Sequence, residues 1–468
     1  MAASRRLFTA KDLTVGTPWK RIVEFTIPML LGNIVQQLYN TADSIIVGRY
    51  VGDNALAAVG SAGPILNLLL VLFVGISVGA GIMVAQYFGA RQRENLSHTI
   101  GTCITLTAVA SLIIMVVGPL VSRPLLELLN TPPSIIDWCA GYLNIFFWGI
   151  AGFSYYNILA GILRGLGDSI SALIFLLIST ALNVGLDILF VARFGLGVPG
   201  VALATVLAQG ISAVFCLIKL LRMTEHFDLG WSLLKPSRKL SGTVVRLGLP
   251  SGLTQAIFSL AMIVVQSLTN SFGEQVIAAN VIVMRVDGFA MMPNFSFGSA
   301  MTTFAGQNIG ARKLERVEKG SRDGTVIAVA VSAAITAVLL LFGRHLMNVF
   351  TKTPELVALS MRMLRILALG YIAVAVTQCL SGVMRGAGDA MTPMWISLIS
   401  TVVLRVPVAY GIAHFTKGPL YPTGRPESTF ISLLVSWTLG ALITLVLYRK
   451  GAWREKMIMG QGEKVADK

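Results

Sequence analysis

Apolar stretches of about 20 residues recur twelve times along this chain, and they leave it few ways to fold. They cover approximately 20–47, 55–86, 98–121, 138–160, 170–192, 199–221, 244–270, 277–304, 323–345, 359–381, 392–414 and 428–448. A stretch of that length is what a helix needs to cross the hydrocarbon core of a bilayer. Inside lipid every backbone N–H and C=O has to be satisfied within the spanning structure, so helices are the default solution. Only 13% of the 468 residues are charged, against roughly a quarter in soluble proteins. The expected fold is an all-α polytopic membrane protein with twelve transmembrane helices.

The formal net charge is +15, and its placement argues against a nucleic-acid partner. With both termini inside, inside segments carry 26 of the 37 Lys and Arg and outside loops carry nine, while Arg285 and Arg405 fall within spans. That asymmetry is the positive-inside pattern and predicts cytoplasmic termini in a multi-pass protein of the plasma or inner membrane. Cys103, Cys139, Cys216 and Cys379 lie singly in or beside apolar segments, a spacing that supports neither zinc nor a disulfide framework. The apolar segment from Ile22 to Val47 is too long for the core of a signal peptide and reads as a retained first helix.

The chain repeats itself. "QYFGARQREN" at 86–95 matches "QNIGARKLER" at 307–316, "GILRGLGD" at 161–168 matches "GVMRGAGD" at 382–389, and "VGDNALAA" at 51–58 matches "FGEQVIAA" at 272–279. All three pairs are 221 residues apart, and Pro28 and Pro250 align with a shift of one. One constant offset over such a length indicates a duplicated unit. Six spans per half is an even number, so both halves enter the membrane in the same direction. The expectation is two six-helix lobes related by a pseudo-twofold axis along the membrane normal. The corresponding division is an N-terminal lobe at 1–221, a cytoplasmic linker at 222–243, a C-terminal lobe at 244–450 and a cytoplasmic tail at 451–468. Two lobes around a central cleft suit alternating access. The loops at Gly89-Ala90-Arg91 and Gly310-Ala311-Arg312 read as helix ends, with Gly terminating the helix and Arg facing its negative end.

Ionisable side chains inside spans are the informative ones, because each costs at least about 2.5 kcal/mol at mid-bilayer. Asn33, Gln36 or Gln37, Asn40 and Asp43 recur every three to four residues on span 1, with Tyr39 one turn before Asp43. Ser179, Asn183 and Asp187 share a face of span 5, and span 6 offers Thr205, Gln209 and Ser212. These polar faces predict a hydrated cavity in the N-terminal half, with Asn157 also lining it. The second half has Val265, Leu404 and Val408 where the first has Asp43, Asn183 and Asp187, and this asymmetry favours a functional site over an architectural one. Buried carboxylates of this kind either carry protons across the membrane or bind Na⁺ together with Asn and Thr oxygens. In the C-terminal half, Arg285 and Asp287 point in different directions along one helix, so Asp287 is expected to join an ion pair with Arg405. Span 8 also gathers Met284, Met291 and Met292, an adaptable apolar surface. No catalytic triad, nucleotide loop or metal-ligand motif is present in the sequence, so no enzyme activity or cofactor is expected, and the energy source should be an H⁺ or Na⁺ gradient.

The duplicated six-helix plan, "ADSIIVGRYVG" at 42–52, "GARQREN" at 89–95, "RGLGD" at 164–168 and "RGAGD" at 385–389 together resemble the multidrug and toxic compound extrusion (MATE) transporters, and within them the DinF-type branch. The resemblance implies an N-lobe cation or proton site at Asp43, Asn183, Asp187 and Thr205, which are also the ligands if Na⁺ is bound. It implies cavity positions at Gln36 and Tyr39, and a hinge at Pro28, where bending of the matching proline has been proposed. The acidic residues that the NorM-type branch carries in spans 7 and 10 have no counterpart at depth here. The implied activity is ion-coupled export of small organic cations or amphiphilic drugs, by a monomer surrounded by membrane lipid. The alternative is a lipid-linked precursor flippase, which would need several cationic cavity residues where these spans offer mainly Arg285 and Arg405.

Overall fold

The computed structural model describes residues 10–129, 131–419 and 421–456. Apart from an isolated bridge between Gly418 and Tyr421, the regular structure among these residues is helical. The first repeat contains α1 (Pro18–Tyr50), α2 (Asp53–Gly89), α3 (Arg93–Leu128), α4 (Pro133–Trp148), α5 (Ile150–Gly165), α6 (Ser169–Asp187) and α7 (Gly197–Leu221). The second contains α8 (Arg238–Asn270), α9 (Glu274–Gly310), α10 (Leu314–Phe350), α11 (Pro354–Gly386), α12 (Met391–Leu398), α13 (Arg405–Phe415) and α14 (Ser428–Lys450). A π turn at Ile188–Arg193 continues α6, and another at Ile399–Leu404 joins α12 to α13.

The twelve expected spans map onto these segments. Among the described residues, nine helical segments are long and apolar enough to cross a membrane, and α4 with α5, bent by 54°, make a tenth. The remaining two are α1 and α2, 33 and 37 residues long. The polar stripe from Asn33 to Asp43 dilutes the hydropathy of α1. The bend in the fourth span was not visible as an interruption in the sequence. It occurs at Gly149, where a Cβ would run into the side chain of Val206 on α7. One turn later a Cβ at Gly152 would come within 2.9 Å of the Gly210 backbone. The two glycines let α5 and α7 touch backbone to backbone.

Packing groups the chain into two compact units: residues up to Asp12 with Ile27–Gly252, and Leu13–Thr26 with residues from Leu253 onward. These units do not coincide with the repeat halves drawn at 221 and 244. The 222–243 segment and the first part of α8 belong with the first unit, and the first part of α1 belongs with the second. Both changes of unit fall inside a helix, beside Pro28 in α1 and beside Pro250 in α8, where a proline removes a rung of the hydrogen-bond ladder.

Specific contacts hold the exchanged segments. In the second unit, the Leu13 amide donates to Gln307 Oε1 at 2.9 Å, Lys313 Nζ donates to the Thr14 carbonyl at 3.0 Å, and Arg316 Nη2 donates to the Leu13 and Val15 carbonyls, each at 3.1 Å. In the first unit, Arg93 grips Asp228 through two hydrogen bonds of 2.8 and 2.7 Å, and Thr105 donates to the Leu234 carbonyl at 2.6 Å. Here α2 meets the first part of α8 through Gly79 and Gly248, too close for any Cβ.

The repeated loops are helix ends, with one correction. Although α2 and α9 end at Gly89 and Gly310, the left-handed residues are Arg91 and Arg312, each with φ 56°. Ala90 and Ala311 keep φ −75°, so the chain reverses two residues beyond Gly89 and Gly310 rather than at the glycines themselves. In the RGLGD and RGAGD motifs glycine does take the left-handed position, at Gly167 (φ 84°) and Gly388 (φ 99°). The Asp that follows caps the next helix. Asp168 accepts from the Ser171 amide and hydroxyl at 2.9 and 2.7 Å, and Asp389 from the Thr392 amide and hydroxyl at 3.2 and 2.7 Å. Lys219 and Lys456 neutralise these buried caps at 3.7 and 2.9 Å.

Candidate functional site

The polar faces of spans 1, 5 and 6 meet inside the first unit. Asn183 and Asp187 on α6 are fully buried, and Thr205 on α7 and Tyr39 on α1 are each 8% exposed. The Thr205 hydroxyl accepts from Tyr39 Oη and from Asn183 Nδ2, both at 3.3 Å, so three helices are tied together at one oxygen. Asp43, one turn beyond Tyr39, brings its carboxyl within hydrogen-bonding reach of Asp187.

The arrangement is rich in acceptors and poor in donors. Among the described residues no donor reaches Asp43 Oδ1, Asn183 Oδ1, Gln209 Oε1 or either oxygen of Asp187, and neither carboxyl is in an ion pair. Ionised carboxylates have no proton to give, so Asp43 and Asp187 face each other as acceptor to acceptor. Such a group is satisfied when a proton or a cation lies between its oxygens.

The π turn begins at the residue after Asp187, and the Phe194 amide bonds back five residues to the Leu189 carbonyl at 3.0 Å. The extra residue in that turn resets the helix face beyond Asp187. Single π turns concentrate at functional sites in helical proteins.

The structure also brings in a residue that the sequence reading passed over. Tyr142 on α4 is 6% exposed and lies close enough to interact electrostatically with Asp43, Asp187 and Tyr39. Applying to span 4 the rule used on span 1, a polar atom within an apolar run, would have found it.

Gln36 is half-buried, while Asn40 is exposed and its carbonyl accepts from the Ser44 hydroxyl at 2.9 Å. Asn157 on α5 is half-buried. Its amide donates to the Phe153 carbonyl at 2.9 Å, and its carbonyl accepts from Ser77 at 2.6 Å. No contact joins Asn157 to Asp43 or Asp187 among the described residues.

The expected ion pair in the C-terminal half does not form. Arg285 is exposed on α9, and Asp287 lies beside Tyr371 on α11, within range of the charge of Arg405 but not paired with it. Arg405 instead directs both Nη atoms at Met262 Sδ, each at 3.4 Å. The π turn at 399–404 immediately precedes Arg405 and sets a helix face that regular α spacing does not anticipate.

Tandem six-helix repeats, spans interrupted at buried polar groups and a carboxyl pair enclosed in one repeat define a polytopic membrane transporter. The chain belongs to the MatE family, whose model matches it twice, over residues 28–189 and again over 250–411. Those two matches restate the internal repeat. Curated relatives include the probable multidrug resistance proteins YoeA and YpnP of Bacillus subtilis (strain 168). YoeA is 30% identical, covering 98% of this chain and 99% of that protein, and YpnP is 31% identical, covering 95% and 98%. A crystal structure of MATE in the straight conformation superposes with a TM-score of 0.88 at 26% identity, covering 96% of this chain and all of that one. The protein is thus a MATE transporter of the multidrug-efflux class.

Proposed function

We propose that the protein is an ion-coupled antiporter that exports small cationic or amphiphilic organic compounds by alternating access, in exchange for H⁺ or Na⁺ at Asp43 and Asp187. The observation that carries this reading is the cluster of buried acceptor oxygens without donors around those two carboxyls. A proton between Asp43 and Asp187 supplies the missing donor. Na⁺, a hard cation, instead takes oxygen ligands from Asp43, Asp187, Asn183 and Thr205. Either ion cancels one of the two carboxylate charges, and its loss leaves both carboxyls ionised to attract a cationic substrate. Tyr39 and Asn183 hold Thr205 in place. Pro28 is the hinge at which α1 bends as the site changes its exposure. The protein works as a monomer in the plasma or inner membrane with both termini cytoplasmic, as a member of the DinF-type branch.

Flux of a fluorescent organic cation in proteoliposomes tests this directly. A pH gradient and a Na⁺ gradient are imposed separately on wild type, Asp43→Asn and Asp187→Asn. The expected result is uptake driven by at least one gradient in wild type and by neither in the variants. Gradient-driven uptake that survives in both variants would rule the carboxyl pair out as the coupling site.

A further inference from the structure

The second unit contains a cavity of about 380 Å³, within the range of small-molecule sites. It occupies the region whose first-repeat counterpart holds the acidic group, since Val265, the equivalent of Asp43, lies in its wall. Its polarity is opposite. Arg405 and Arg285 line it together with Gln266 and Asn280, Met262 and Phe430 supply apolar walls, and no carboxylate lines it. Gln266 and Asn280 are already engaged: Gln266 Nε2 donates to Asn270 Oδ1 at 2.8 Å, and Asn280 Nδ2 donates to Gln266 Oε1 at 3.4 Å.

Arg405 is not satisfied in this way. It is 5% exposed, its Nε has no acceptor among the described residues, its two Nη atoms meet the thioether of Met262, and the Asp287 carboxyl lies within range of its charge without bonding to it. A thioether is a weak acceptor. A buried guanidinium whose fork faces a cavity and meets no oxygen is a receptor for an anion. Its planar geometry matches a carboxylate through two parallel hydrogen bonds.

We propose that this cavity binds an amphiphilic carboxylate, with the carboxylate received by Arg405, Arg285 adding charge, and the apolar body lying against Met262 and Phe430. The site is separate from the Asp43–Asp187 group, and its test reads binding rather than transport. Failure of the antiport reading therefore leaves it standing, and the reverse also holds.

The test uses the purified full-length chain in a neutral detergent free of anionic lipid, with 2-naphthoate as probe and methyl 2-naphthoate as the uncharged control, measured by equilibrium dialysis. Saturable binding of naphthoate to wild type is expected, at least tenfold weaker for the ester and for naphthoate with Arg405→Met. Val281→Trp narrows the cavity from a lining position that is 51% exposed, and it should weaken naphthoate even if Arg405→Met fails to fold. Equal binding of acid and ester, unchanged binding in folded Arg405→Met, or no saturable binding to folded wild type would each overturn the proposal. So would native mass spectrometry showing phosphatidylglycerol retained by wild type and lost in Arg405→Met without naphthoate competing, because Arg405 would then hold a lipid phosphate.

Discussion

Replacing Asp187 by Asn separates a working site from a structural contact more sharply than any other single change. Four acceptor oxygens of Asp43, Asn183 and Asp187 lack donors: one each on Asp43 and Asn183, and both on Asp187. Asparagine at 187 keeps the size of the side chain, removes one of those acceptors and adds an N–H₂ group. Relieving an unsatisfied buried acceptor is worth about 1–3 kcal/mol, and a typical net hydrogen bond about 1 kcal/mol. The substitution should therefore leave stability unchanged or raise it by about 1 kcal/mol, while removing a group proposed to exchange the coupling ion. The assays are thermal unfolding in detergent, followed by the fluorescence of the seven tryptophans, and gradient-driven flux in proteoliposomes at matched protein content. The expected pair of results is a melting temperature at or above wild type with flux at the vesicle leak rate. A melting temperature several degrees lower, with flux reduced only in proportion to the folded fraction, would refute the reasoning and make Asp187 a packing residue.

Three further outcomes follow from the geometry. Thr205→Val removes the oxygen that accepts from Tyr39 and Asn183; at about 1 kcal/mol per bond it should lower the melting temperature and impair flux, while Thr205→Ser stays near wild type. Gly149→Ala places a Cβ against Val206 and should cost about 1–3 kcal/mol as overpacking; adding Val206→Ala should recover much of it, a non-additivity read by a double-mutant cycle of melting curves. Arg93 holds the Asp228 carboxyl below its ordinary range through two charge-assisted hydrogen bonds. The stabilisation is fully present above the ordinary carboxylate range and is lost as pH falls through the depressed value, so the difference in melting temperature between wild type and Asp228→Asn should close on acidification. The pair is half exposed, and high salt should shrink the same difference.

The membrane fold was legible because lipid permits so little else: a run of about 20 apolar residues has to be a helix. The heart of the site was legible for a related reason. Asn183 and Asp187 stand one turn apart in an apolar run, Asp43 ends a polar stripe, and a charge inside a span calls for a partner. Tyr142 escaped because a tyrosine among Leu, Ile and Phe looks like core until the fold brings it within electrostatic range of Asp43 and Asp187. The Asp287–Arg405 pair was misjudged because α spacing says nothing about a π turn, and the one at 399–404 directs Arg405 at Met262. The boundaries of the two units could not be read from the repeat. They depend on contacts such as Leu13 with Gln307, 294 residues apart, and composition does not encode which distant segment a helix end will meet.

The exchange of helix ends at Pro28 and Pro250 has a consequence for biosynthesis. Leu13–Thr26 leaves the ribosome well before its hydrogen-bonding partners at Gln307, Asn308, Lys313 and Arg316, which are made about 300 residues later. At roughly 5–20 residues per second that is a wait of about 15–60 seconds, with the start of α1 inserted but unpartnered. The first unit is likewise incomplete until Gly252 has been added. Neither repeat is then a self-sufficient product of its own stretch of message. A chain stopped after the sixth span would lack the 222–252 segment that its own unit needs and would leave the start of α1 without its partners. Such a truncated protein would carry two helix ends without the packing they have in the full chain.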